Sequence, residues 1–258
     1  MRSHFYDLDA LTYGFAPANL IVIASRPGVG KSSFALTIAE NVAKYGNKSV
    51  VFFSLTKSRS KLLTQLIAQE SDIEISKIAN SVTKQQNEKL IKAIALYKSL
   101  PLFIDDTQNI TVEGIRAEVL NLQRSYQQKE LGLIVVDSLQ LIQENTCTNR
   151  TEQLSKIVRH LKILAREFNI PILMLSEIDC SVDNRMNKRP RLTDISDCGS
   201  IEDIADLVLM IYRENYYDCF VAEREIAELI VVKHRNGATA TIQLLYECDF
   251  KRFRNIRR

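Results

Sequence analysis

Along the first two-thirds of the chain, short unbroken apolar runs alternate with longer segments in which apolar residues return every three or four positions. The runs at residues 20–24, 50–55, 102–105, 133–137 and 172–176 lack polar alternation, which predicts strands covered on both faces. The helical period predicts helices over 33–44, 111–128 and 151–168, with further helical material across 60–100. Strand and helix in turn predict an α/β fold with a mainly parallel sheet flanked by helices. The final third reads differently: residues 205–212, 227–233 and 239–246 are strand patterns joined by short connections. Asn236-Gly237 lies between the last two and predicts a C-terminal antiparallel β-hairpin.

With 258 residues, 46% hydrophobic and 25% charged, the chain has the length and apolar content of one large soluble α/β domain. A formal charge of +3 is too small to indicate nucleic acid by itself, although cations gather at 185–191 and 251–258. The second of these runs reads as solvated surface. Five cysteines, scattered and never in a C-x-x-C pair, indicate neither a disulfide framework nor a zinc site and point to a reducing compartment. No stretch approaches transmembrane length, and the first nine residues lack the apolar core of a secretory signal. The expectation is therefore no membrane contact and no secretion.

The chemistry concentrates where the first apolar run meets Ser25-Arg26-Pro27-Gly28-Val29-Gly30-Lys31-Ser32 and a helical pattern follows. Strand, Gly-rich loop and helix in that order make a phosphate cradle, because free backbone N–H groups and the positive helix end both favour a polyanion. Lys31 would reach the β- and γ-phosphates and the Ser32 hydroxyl would ligate Mg²⁺, so ATP and Mg²⁺ are the expected cofactors. The usual pattern opens on Gly, where this chain has Ser25. A second motif is the run 131–137, ending on Asp137. A carboxylate at the C-terminal edge of a parallel strand can hold Mg²⁺ through water opposite Ser32, or can instead cap the next element. Two connections without periodicity, 143–150 and 179–200, leave strands at the same edge, as functional loops or as mobile surface insertions.

These residues resemble the C-terminal motor domain of the DnaB-type replicative helicases, a RecA-like branch of the P-loop ATPases. The matches run in order through Leu8-Asp9, Thr12, Gly14, the loop at 26–32, Phe53-Ser54-Leu55, 101–107, 137–141, Asn149-Arg150, Lys188-Arg189-Pro190, Ala205-Asp206 and 233–237. The resemblance implies one RecA-like ATPase domain over 1–258, lacking the family's N-terminal domain, in a homo-hexameric ring that threads single-stranded DNA during replication. It places ATP at subunit boundaries and implies catalytic roles for Lys31, Asp137, Lys233 and Arg235, the last two toward the neighbour's γ-phosphate. Without it, Lys233 and Arg235 read equally well as one exposed strand face beside a hairpin turn. The implied compartment is the bacterial cytoplasm with its nucleoid, or the plastid stroma, while primase and loader contacts stay open.

Two substitutions depart from the family pattern. Thr56 stands where the family carries the Glu that deprotonates the attacking water, and loss of a general base costs about two to four orders of magnitude in rate. Glu177, in place of a Gln that senses the γ-phosphate, is a candidate substitute. In the DNA-contacting segment Ser196 replaces an Arg ahead of Gly199, leaving Arg185, Lys188, Arg189 and Arg191 upstream to supply charge. Two further readings follow: an ATP-binding subunit of a ring or DNA loader that does not hydrolyse, and a RecA-like recombination ATPase.

Overall fold

The computed structural model describes residues 1–78, 82–126, 129–144, 149–195, 199–218 and 225–256. In chain order the elements are α1 (Tyr6–Thr12), β1 (Leu20–Ser25), α2 (Lys31–Tyr45), β2 (Ser49–Ser54), α3 (Arg59–Ser71), α4 (Ile75–Ile78), α5 (Lys84–Ser99), β3 (Leu102–Asp105), α6 (Val112–Ser125) and β4 (Leu131–Asp137). They continue with α7 (Arg150–Phe168), β5 (Ile172–Glu177), α8 (Gly199–Ile204), β6 (Leu207–Tyr212), α9 (Glu214–Tyr217), β7 (Ile226–His234), β8 (Ala240–Glu247) and β9 (Arg252–Asn255). The strands make one nine-stranded sheet in the order β3-β2-β4-β5-β1-β6-β7-β8-β9. The first six are parallel, and β7, β8 and β9 return antiparallel.

The predicted strands formed because both faces of the parallel sheet are covered. Along β1, Ile21 and Ile23 enter one core with Phe34, Leu36 and Ile38 of α2, while Leu20, Val22 and Ala24 enter the other with Ile157, Val158 and Leu161 of α7. Alternate side chains point to opposite faces and all are buried, so the run reads as continuous apolar. Each such side chain contributes about 1.5–3 kcal/mol through burial. Helix α7 starts at Asn149, whose side chain accepts from the Thr151 N–H, and buries a stripe at 154, 157, 158, 161, 164 and 165.

Four expectations change. The helical material at 60–100 divides into α3, α4 and α5, with Asp72 in the left-handed region ending α3 and a Thr83–Gln86 capping box opening α5. The hairpin after β7 has a longer loop than its Asn-Gly pair suggests, since pairing resumes at Val231 with Ala240. The strand expected from 205 begins at Leu207, because Ala205 and Asp206 serve the approach from α8. Finally, residues 251–258 are not merely solvated: β9 adds a ninth strand, Phe253 is buried against Phe34 and Tyr246, and Arg252 pairs with Asp72 and Glu247 at 2.9 and 2.6 Å. Helix α1 is a further element that the apolar pattern did not announce.

Candidate functional site

The loop 26–30 joins the end of β1 to the first turn of α2 and is braced from outside. Ser25 Oγ donates to the Arg26 carbonyl at 2.9 Å, and the Arg26 guanidinium pairs with Asp183 at 2.9 Å. From below, the buried Arg213 donates to the Val29 carbonyl at 3.1 Å while its guanidinium lies 4.0 Å from the Tyr246 ring centre. Gly28 and Gly30 have φ of +82° and +123°, a region that L side chains rarely adopt. A Cβ at Gly30 would also meet the Phe253 ring at 3.1 Å. The residue ahead of α2 is Gly30, which has no side chain to cap it, and no acid lies in the first turn, so among the described residues its leading N–H groups are left for an anion.

Register brings the other groups to this edge. Ser25 pairs with Glu177 across β1 and β5, and Ser54 pairs with Asp137 across β2 and β4. Buried Lys31 lies 3.4 Å from Glu177 Oε1, a long ion pair. Asp137 is fully buried, and its Oδ2 accepts from the Thr56 hydroxyl at 3.1 Å. Burial pushes the Asp137 carboxyl above the usual range, while the Ser32 and Thr56 hydroxyls and the charges of Lys31 and Lys57 pull it down. Its Oδ1 has no hydrogen-bond partner among the described residues. An orphaned, buried carboxylate oxygen beside a Ser hydroxyl fits the water shell of Mg²⁺, and the glycine cradle fits phosphate. The residues present therefore suit both expected groups.

The structure does not bring Lys233 and Arg235 to that edge. Strand β7 runs antiparallel to β6 with His234 opposite Leu207, which puts both cations beside the start of β1. The phosphate loop leaves the other end of β1, about 17 Å away at 3.3 Å per residue. There Lys233 donates to the Glu202 carbonyl, and Arg235 reaches the Asp203 carbonyl at 2.7 Å and Asp206 at 3.2 Å. Lys233 is the last but one residue of β7 and Arg235 lies in the turn beyond it, so the shared strand face expected from their spacing is replaced by a shared partner, the α8 end. Burial and the nearby Arg235 charge lower the Lys233 pKa.

The cations 185–191 divide. Arg185 pairs with Asp194 at 2.7 Å and Arg189 with Glu228 at 2.6 Å, whereas Lys188 lies over the Tyr217 ring and Arg191 is exposed. Gly199 opens α8, and Ser196 lies outside the described residues, as do parts of both long connections. Two residues beside the loop carry no sequence signal. Arg213 follows β6 with no motif to mark it, and Lys57, next to Thr56, belongs to no pattern that gives it a role.

A family model described as DnaB-like helicase C terminal domain matches residues 1–255. A "Probable replicative DNA helicase" of Trieres chinensis is 44% identical over 259 residues, covering 98% of this chain and 56% of that protein. "Replicative DNA helicase DnaB" of Geobacillus stearothermophilus is 40% identical over 257 residues, with the same two shares of 98% and 56%. Among solved structures, one described as an ATPase domain superposes with a TM-score of 0.94 at 31% identity, covering 99% of this chain and 90% of that one. "The Structure Of A DnaB-Like Replicative Helicase And Its Interactions With Primase" gives the same TM-score of 0.94 and 31% identity, covering 99% and 61%. The chain thus spans about half the length of these curated relatives, 56% in each case. Among the described residues, no helix is long and apolar enough to cross a membrane.

Proposed function

Because the chain belongs to the DnaB-like helicase C-terminal domain family, we propose that it is the ATP-dependent motor of a replicative DNA helicase, moving on single-stranded DNA. The observation that carries this reading is the convergence of the uncapped start of α2, Lys31 and the unpaired oxygen of Asp137 on one sheet edge. The free N–H groups and the Lys31 ammonium would hold phosphate oxygens. Ser32 and Asp137 would hold Mg²⁺, which when bound neutralises charge on the phosphate chain.

Lys233 and Arg235 stand a strand's length from the loop and serve no phosphate bound to the same subunit, which supports a site completed across the boundary of a hexamer. A cation entering from the neighbour would stabilise charge developing on the transferred phosphoryl group. Lys188 and Arg191 are the cations most available to the DNA backbone, with Arg185 and Arg189 beside them in internal ion pairs and Gly199 opening α8. The proposed compartment is the one that holds the replicating DNA, bacterial nucleoid or plastid stroma, and a primase is the partner proposed outside the ring.

ATP turnover with Mg²⁺, measured with and without single-stranded DNA, tests the reading. DNA-stimulated turnover that the Lys31→Ala protein lacks is expected, and equal turnover by the two proteins overturns it. Thr56 carries a second reading, because its hydroxyl is bonded to Asp137 and offers no base. On that reading the chain binds ATP tightly and hydrolyses it slowly, as a ring or DNA-loading subunit. A rise of about 10²-fold or more in Thr56→Glu supports it, and an unchanged rate assigns the base elsewhere, with Glu177 first in line.

A further inference from the structure

Across the sheet, the strand ends at this edge run β1, β5, β4, β2, so the phosphate loop, Glu177, Asp137 and the segment after β2 stand in a row. That last segment is held in place: the Leu55 N–H donates to the Asp137 carbonyl at 2.6 Å and the Ser54 hydroxyl to the Lys57 carbonyl at 2.7 Å. Lys57 is half-buried there and, among the described residues, its ammonium makes no ion pair or hydrogen bond. Desolvation lowers its pKa; the charges that reach it are Asp137, which attracts, and Lys251, Lys31 and Lys61, which repel. Lys61 lies in the first turn of α3 and Lys251 in the turn before β9, and neither ammonium has an ion partner among the described residues. Three other ammonium groups thus act on Lys57 against the single carboxylate of Asp137, which already receives the Thr56 hydroxyl, while Glu177 lies 3.4 Å from Lys31.

Half-burying a cation among other cations is unfavourable unless an anion joins them. Lys31 opens α2 at the end of the loop, and the row of strand ends leads from the loop past Glu177 and Asp137 toward Lys57, so a phosphate chain reaching beyond Lys31 along this edge would meet Lys57. Resting on the nucleotide reading above, we propose that Lys57 is a second lysine of the nucleotide site, one that contacts the terminal phosphate and makes the site prefer a nucleoside triphosphate to a diphosphate. Lys61 and Lys251 reinforce the same field from further out. The competing role for Lys57, neutralising buried Asp137 without any ligand, predicts no such preference.

Binding of fluorescent ADP and of a fluorescent, non-hydrolysable ATP analogue with Mg²⁺ decides between them, using wild type, Lys57→Met, Lys57→Gln, Lys57→Arg and Lys31→Ala. In Lys57→Met and Lys57→Gln the triphosphate should bind about 10-fold more weakly while the diphosphate changes less than about twofold, and Lys57→Arg should restore most of the difference. Equal losses for both nucleotides, or none for either, in whichever neutral variant folds, overturn the proposal and leave Lys57 as a partner of Asp137. Melting temperatures without nucleotide identify the variants that fold. Failure of the underlying reading has its own signature, namely unchanged binding of both nucleotides in Lys31→Ala.

Discussion

The two ends of β1 are built from similar charges and treat them in opposite ways. Where β1 begins, the buried acid is fully engaged: Asp206 accepts from the Leu20 N–H at 2.8 Å and pairs with Lys162 at 2.6 Å and Arg235 at 3.2 Å. Where β1 ends, among the described residues, Asp137 keeps an oxygen without a partner, α2 starts uncapped and the Lys57 ammonium makes no ion pair or hydrogen bond. Buried polar groups normally find partners within the fold, because leaving one unmade costs about 1–3 kcal/mol. The contrast separates an edge whose buried acid is paired within the fold from one that leaves a buried carboxylate oxygen and a helix start open, as the proposed nucleotide site requires. It also means that Arg235, half-exposed and engaged with Asp206, must leave an existing contact to serve a neighbouring subunit.

Substitutions that move groups between these two conditions sharpen the contrast. The largest effect is expected from Arg235→Ala, which should lower the DNA-stimulated turnover of the assembled protein by about 10³-fold while leaving nucleotide binding by the single chain unchanged. A matched loss of binding would mean that Arg235 acts within its own subunit. Asp206→Ala should come next, destabilising the domain by about 3 kcal/mol in urea titrations, since it leaves the mostly buried Lys162 with the Ala18 carbonyl but no counter-charge. A change below about 1 kcal/mol would make the opposite edge an ordinary surface network.

Gly30→Ala should destabilise by about 2 kcal/mol, through its positive φ and the approach to Phe253, and should abolish nucleotide binding. The smallest effect concerns Asp137→Asn. Because burial raises the Asp137 pKa in the folded state, the carboxylate's contribution to stability is fully present below the ordinary aspartate range and is lost as pH rises through the folded value. Asp137→Asn should therefore raise the melting temperature of the nucleotide-free protein at neutral pH, with the gain vanishing in acid. A gain independent of pH would show that the carboxylate is not held against its own desolvation.

Legibility followed the range of the interaction. The parallel strands were readable because each is apolar on both faces, and the phosphate loop because Gly28 and Gly30 meet a backbone demand that only glycine satisfies cheaply. The ninth strand was not, since β9 contributes one buried residue, Phe253, between Arg252 and Arg254, and a lone apolar position makes no pattern. Lys57 gave no sign because the role proposed for it depends on Asp137, eighty residues further along and one strand across.

By itself, then, the order of residues determined the alternating architecture and the cradle with its lysine, which rest on neighbours within a few positions, and the family to which the chain is similar, which rests on short local motifs in their order along the chain. Only the tertiary structure decided which end of β1 each charge occupies, that Arg185 and Arg189 are taken up internally, and that Lys57 stands near Asp137 without a partner. Those outcomes depend on strand order and register, and the charges themselves act through space, so their partners are set by where the sheet brings them and not by their separation along the chain.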